Sequence, residues 1–137
     1  MSTPIKLVLV DDHELIRESW NNMFGRDQRF EIIGLFANGA EAVELVLQNP
    51  PDVVLMDINM TPMNGLEATR RILESIPSMK IIGCSANNNP RYSDRMLALG
   101  AKGYVTKTST FDELKTAILE VMAGNVYVCE EIQARKK

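Results

Sequence analysis

The stretch Ile5-Lys6-Leu7-Val8-Leu9-Val10-Asp11-Asp12 decides the fold. Six residues rich in Val, Leu and Ile end abruptly in two carboxylates. The run is too short for an ordinary helix, and it is apolar at both odd and even positions after Lys6. That pattern reads as a strand buried on both faces, the signature of a parallel sheet. Working outward, Val53–Met56, Met79–Cys84 and the weaker Gly103–Val105 have the same character, and Phe30–Phe36 fits a fifth strand.

Helical periodicity fills the gaps. Ile16, Trp20, Met23 and Phe24 make one apolar stripe, and Ala42, Val43, Val46 and Leu47 a second. Leu66, Thr69, Ile72, Leu73 and Ile76 make a third, Met96, Leu97 and Leu99 a shorter fourth, and Leu114, Ala117, Ile118, Val121 and Met122 a fifth. Each stripe is wide enough to cover a sheet face. Asp11 with Glu14, and Thr110 with Glu113, have the spacing of helix-capping pairs. Gly100 and Gly124 suit positions just past helix ends. Pro50-Pro51 and Pro77 separate helix from strand. The order is (βα)₅, an α/β protein with a doubly wound, five-stranded parallel sheet and helices on both faces.

Composition agrees with one soluble domain. The chain has 137 residues, 45% of them apolar and 24% charged. No apolar run approaches the roughly 18 residues that span a bilayer, and Met-Ser-Thr-Pro lacks the features of a signal peptide. Cys84 reads as core and Cys129 as part of a tail, with no redox or metal spacing, so a cytoplasmic setting is expected. The net charge of −3 argues against a nucleic-acid surface. The one basic cluster, Arg135-Lys136-Lys137, reads as a solvated end.

In open parallel sheets, ligands bind beyond the carboxyl ends of the strands. Strand one ends in Asp11-Asp12, strand three in Asp57, strand four in Ser85 and strand five near Lys107. With strand order 2-1-3-4-5, three carboxylates, a hydroxyl and an ammonium meet in one crevice. Three close carboxylates require a proton or a cation. Mg²⁺ suits them, because it takes oxygen ligands and needs only one or two carboxylates plus a phosphate. The set then holds a carboxylate nucleophile, Asp57, and groups that balance charge in phosphoryl transfer, Lys107 and Ser85.

Taken singly, each residue has a plainer reading. Asp11 or Asp12 can cap a helix, Asp57 can begin a turn, Ser85 can end a strand and Lys107 can be a surface charge. His13, the only histidine, reads as a solvated side chain in the first helical turn, and Trp20 as packing. The eight methionines fall mainly at core-like positions. It is the convergence of four strand ends that favours a site.

These pieces resemble the receiver domain of two-component response regulators. The resemblance lies in Leu9-Val10-Asp11-Asp12, Asp57-Ile58-Asn59-Met60 leading to Gly65, Ser85-Ala86, and Gly103-Tyr104-Val105-Thr106-Lys107. It covers residues 5 to 123 and implies the flavodoxin-like fold of receivers. It implies that Asp57 accepts a phosphoryl group from a histidine kinase. Asp12, Asp57 and the backbone carbonyl of Asn59 would bind Mg²⁺, with Asp11 reaching it through water. Lys107 would pair with the phosphoryl group, and Ser85 and Tyr104 would move as the switch is thrown. Ala86 would leave room for the phosphodonor, and Asn59 and Asn87 would tune the lifetime of the phosphorylated state.

Two departures stand out. The family often has proline after the lysine, where Thr108 stands here. It often has Met-Pro after the acceptor, where Met60-Thr61-Pro62 moves the proline by one. The first of these, with Gly124-Asn125-Val126-Tyr127, resembles the LuxR/NarL-type regulators. The expectation is a receiver over residues 1–124 and, over 125–137, the start of a linker to a DNA-binding output domain. A homodimer on phosphorylation is expected, and turnover beyond slow self-dephosphorylation is not. A haloacid-dehalogenase-like phosphatase fits less well, since Asp11 and Asp12 are adjacent rather than spaced by one residue. A pseudo-receiver would have lost Asp57, Asp12 or Lys107. A flavin site is disfavoured by the acidic loop after strand one.

Overall fold

The five apolar runs become five parallel strands in a computed structural model that describes residues 3–136. They are β1 (Ile5–Val10), β2 (Phe30–Phe36), β3 (Val53–Asp57), β4 (Lys80–Ser85) and β5 (Gly103–Thr106). Between and after them lie α1 (Glu14–Gly25), α2 (Gly39–Gln48), α3 (Gly65–Ser75), α4 (Pro90–Leu99) and α5 (Phe111–Met122). Two further elements follow, a short strand β6 (Tyr127–Val128) and a helix α6 (Glu130–Arg135). The sheet order is β2-β1-β3-β4-β5-β6, which contains the expected reversal at β1 and β3 and adds one edge strand.

The register of this sheet builds the site. Val10 pairs with Met56, so Asp11 and Asp57 each stand one residue beyond a matched pair, on neighbouring strands. Asp57 pairs with Cys84, which leaves Ser85 one step beyond. Ser85 pairs with Thr106, which leaves Lys107 one step beyond. Parallel strands in staggered register therefore deliver their terminal polar residues to one edge, as the topology demands.

Central strands are sealed from water. Leu7, Val8, Leu9, Val10, Val53, Val54 and Met56 have no exposed surface. Helices α1 and α5 cover one face, where the Phe24 and Phe111 rings meet edge-on at 4.9 Å. Helices α2, α3 and α4 pack as neighbours on the other. The apolar stripes face inward with two exceptions. Leu47 and Met122 lie at the outer edge of their stripes and are 40% and 37% exposed, while Leu45 packs inward in α2.

Local signals explain most helix ends. Thr110 accepts from the Glu113 N–H, as its spacing predicts, and Asn38, Asn64 and Asn89 cap α2, α3 and α4. Gly100 and Gly124 take φ of 112° and 93°, the left-handed region that glycine adopts without strain. The Asp11–Glu14 pair does not cap α1. His13 holds the N-cap position, and Asp11 Oδ1 accepts from the His13 backbone N–H instead. Among the described residues the cis peptide is Thr61–Pro62, and Lys107–Thr108 is trans.

The segment after Gly124 differs from the expected free tail. Tyr127 N–H donates to Lys102 O and Cys129 N–H to Tyr104 O, which extends the sheet past β5. Cys129 and Ile132 are fully buried. In the basic cluster, Lys136 pairs with Asp94 at 2.7 Å and Arg135 is exposed; Lys137, like Met1 and Ser2, lies outside the described residues. No helix among the described residues is long and apolar enough to cross a membrane.

Candidate functional site

Asp57 closes β3 and has no exposed surface. One of its carboxylate oxygens accepts from the Asn59 backbone N–H at 3.0 Å, and the other from Lys107 Nζ at 3.2 Å. Burial pushes this carboxyl above its ordinary value and the neighbouring Asp11 adds to the rise, while the Asn59 N–H and Lys107 oppose it. An aspartate so placed is shielded from bulk water yet aimed at the crevice.

Asp11 is also fully buried, at the end of β1. Its Oδ1 accepts from the His13 backbone N–H at 2.8 Å, and its carbonyl accepts from Arg17 at 2.8 Å. Its Oδ2 lies 2.9 Å from Lys107 Nζ, an ion pair between two buried groups. Asp12 stands at the mouth, with its side chain 34% exposed. Lys107, held by the turn after β5, contacts both Asp11 and Asp57. Burial alone would lower its ammonium, and the two carboxylates outweigh that and hold it above the ordinary lysine value.

The crevice therefore concentrates oxygen donors around a single ammonium. Asp11, Asp12, His13 and Asp57 each offer one ligand atom, and these atoms lie within 4.8 Å of one another. The carboxylate-rich donor set, with one ammonium against three carboxylates, fits a hard divalent cation. His13, read from the sequence as a solvated side chain, also touches the cluster. Its side chain is largely solvated, at 60% exposure, yet its Nδ1 turns into the acid cluster. A lone histidine beside a helix start carries no periodic or spacing signal, so only the fold reveals this.

Ser85 and Tyr104 lie beside the crevice. Ser85 Oγ is buried, donates to Asn59 Oδ1 at 2.7 Å and accepts from the Asn87 N–H at 3.0 Å. Tyr104 is fully buried, and its hydroxyl reaches Asn87 O at 3.4 Å. Burial raises the Tyr104 phenol well above its usual value, so it stays neutral. Ala86, Asn87 and Asn59 are exposed at the rim. The loop after Asp57 is held close, because a Cβ on Gly65 would run into Asp57 O and the Ile58 Cα.

Asn88, Thr106 and Thr108 share a partner that the sequence did not signal. Glu131 of α6 accepts from Asn88 at 2.8 Å, and from Thr106 and Thr108 at 2.9 Å each. These bonds, Asn88 first, hold the Glu131 carboxyl below its usual range. One carboxylate thus ties the loop after β4 to the turn after β5.

Residues 7–119 match the response regulator receiver domain family. The transcriptional regulatory protein DegU of Brevibacillus brevis is 38% identical over 124 residues, covering 90% of this chain and 52% of that one. Response regulator GacA of Pseudomonas aeruginosa is 35% identical over 128 residues, covering 93% of this chain and 60% of that one. The chain therefore spans between half and three fifths of the length of these relatives. A two-component response regulator of the LuxR family from Aurantimonas sp. SI85-9A1 superposes with a TM-score of 0.91 at 28% identity, over 98% of this chain and all of that one. On the family match, the relatives and the shared architecture, this chain belongs to the response regulator receiver domain family, and its kinship is with the LuxR/NarL-type regulators.

Proposed function

We propose that this receiver is a switch set by phosphorylation of Asp57. The observation that carries the reading is the meeting of buried Asp57 with Asp11 and Lys107 at adjoining strand ends. A carboxylate oxygen of Asp57 attacks the phosphorus of a phosphohistidine on a sensor histidine kinase. The bond from phosphorus to the imidazole breaks, and an acyl phosphate forms. Asp12, Asp57 and the Asn59 carbonyl would hold Mg²⁺, with Asp11 acting through water. Bound there, the ion supplies positive charge that stabilises the phosphoryl oxygens.

The chain's own groups do the rest. Lys107 gives up its contact with Asp57 to pair with the added charge. Ser85 exchanges its bond to Asn59 for a phosphoryl oxygen, and Tyr104 reports the move to the face of α4, β5 and α5. Asn59, Ala86 and Asn87, at the rim, govern water and donor access, and so the lifetime of the acyl phosphate. The protein acts in the cytoplasm, where its two unpaired buried thiols stay reduced. Residues 1–124 form the receiver and 125–137 begin the path to an output domain. DNA is contacted only through that domain, and phosphorylation favours a homodimer. This is signalling rather than turnover.

The test is incubation with acetyl phosphate and Mg²⁺, read by intact mass. Wild type gains one phosphoryl group and Asp57→Ala none. Equal gain by the variant, or no gain by wild type, refutes the reading.

A further inference from the structure

One carboxylate of the C-terminal extension joins two loops that border the crevice. Glu131 Oε2 accepts from Asn88 Nδ2 at 2.8 Å, on the loop after β4. Its Oε1 accepts from the hydroxyls of Thr106 and Thr108 at 2.9 Å each, at the end of β5 and in the turn beyond it. These donors sit close to the groups that answer the added charge. Asn88 follows Ser85 on one loop, and Thr106 and Thr108 flank Lys107 on the other. Further bonds link the two loops to each other. Ser85 Oγ accepts from the Asn87 N–H at 3.0 Å, the Tyr104 hydroxyl donates to Asn87 O at 3.4 Å, and the Lys107 N–H donates to Ser85 O at 2.9 Å.

This web ties Glu131 to one arrangement of the loops. When Ser85 Oγ turns to a phosphoryl oxygen, the Asn87 N–H loses its acceptor and the segment that carries Asn88 must rearrange. A shift of roughly 1 Å takes a 2.8 Å bond out of hydrogen-bonding range. Little else anchors the extension. Its helix α6 has six residues and one buried side chain, Ile132, and a helix of that length does not stand alone in water. Its strand β6 has two residues. The Cys129 N–H donates to the carbonyl of Tyr104, so the extension is also bonded to the residue that reports the switch.

We infer that Glu131 is a clamp that holds both loops in the unphosphorylated arrangement, and that a phosphoryl group on Asp57 opens it and frees β6 and α6. The inference rests on the reading of Asp57 as the acceptor. Coupling of this kind is reciprocal. If the phosphoryl group weakens the clamp, the clamp weakens the hold of the site on a phosphoryl group to the same degree. Glu131 is thus a positioning residue, acting on the site through Asn88, Thr106 and Thr108.

The test uses the full chain with Mg²⁺ and beryllofluoride, a reversible stand-in for the phosphoryl group. Buried Cys129 reports the extension and buried Cys84 the core. Saturating beryllofluoride should speed alkylation of wild-type Cys129 by about fivefold or more. Cys84 should stay protected, and Asp57→Ala should show no change. Titration followed by the Thr106 amide resonance should give Glu131→Ala an affinity for beryllofluoride higher by about fivefold or more. Asn88→Ala should act in the same direction, and the double variant should gain no more than Glu131→Ala alone, since both changes open one clamp. General loosening would instead make the two gains add. An unchanged Cys129 rate, an unchanged affinity in Glu131→Ala, or additive gains overturn the clamp. If acetyl phosphate places no phosphoryl group on wild type, the reading of Asp57 fails and the clamp with it. If it does place one while the Cys129 rate and the affinities stay level, the clamp alone falls.

Discussion

Asp57 is buried beside a second carboxylate, and one ammonium answers both. Its carboxyl is held above the ordinary value, chiefly by burial. The sign follows directly. A group that binds protons more tightly when folded adds stability below its unfolded pKa, and that stability is lost as pH rises through its folded pKa. At neutral pH the ionised Asp57 is therefore a strain on the metal-free protein. Asp57→Asn should raise stability in chelator, read as a higher Tm, and the gap should shrink as pH falls. A lower Tm in chelator would contradict this electrostatic account. At this scale the sequence was legible wherever a residue ended an apolar run, as Asp11, Asp57 and Ser85 do. The contact of His13 with the acid cluster was not, because it comes from a ring turned back towards Asp11 and Asp12, which no spacing encodes.

At the scale of elements, the five strands and five helices were readable because each buries a run or stripe long enough to show its period. The pair β6 and α6 was hidden for the opposite reason. Tyr127–Val128 is two residues long, and α6 is six residues with one fully buried apolar side chain, Ile132. Their order comes from tertiary bonds, above all Glu131 with Asn88, Thr106 and Thr108. Glu131→Ala should loosen α6 and expose Cys129, whose thiol is fully buried. Thiol labelling at neutral pH should then be faster at Cys129 in the variant than in wild type, with Cys84 still protected in both; equal Cys129 rates would show that Glu131 does not hold the segment. Because the Glu131 carboxyl is held below its usual range, its contribution is complete above the unfolded value and is lost as pH falls through the folded one. The Tyr127 and Cys129 amide resonances should shift in that acid window before the core strands respond.

Across the whole molecule, a five-stranded core carries the site and an edge extension closes β5. The family match ends at residue 119, before the extension begins. Deleting residues 125–137 should leave a folded domain with Asp57, Asp11 and Lys107 in place. The loss of buried Cys129 and Ile132 should lower its stability by about 2–4 kcal/mol in urea unfolding. An unfolded product would show instead that the extension is integral to the core. Strand order and register bring Asp11, Asp57 and Lys107 to one edge of the molecule, and the proposed function turns on which carboxylate there accepts the phosphoryl group. The most direct test treats wild type with acetyl phosphate and Mg²⁺, reduces the product with borohydride, and maps the homoserine that replaces a phosphorylated aspartate. Homoserine at position 57 alone is the predicted result; homoserine at position 11 or 12, or at none, contradicts the account.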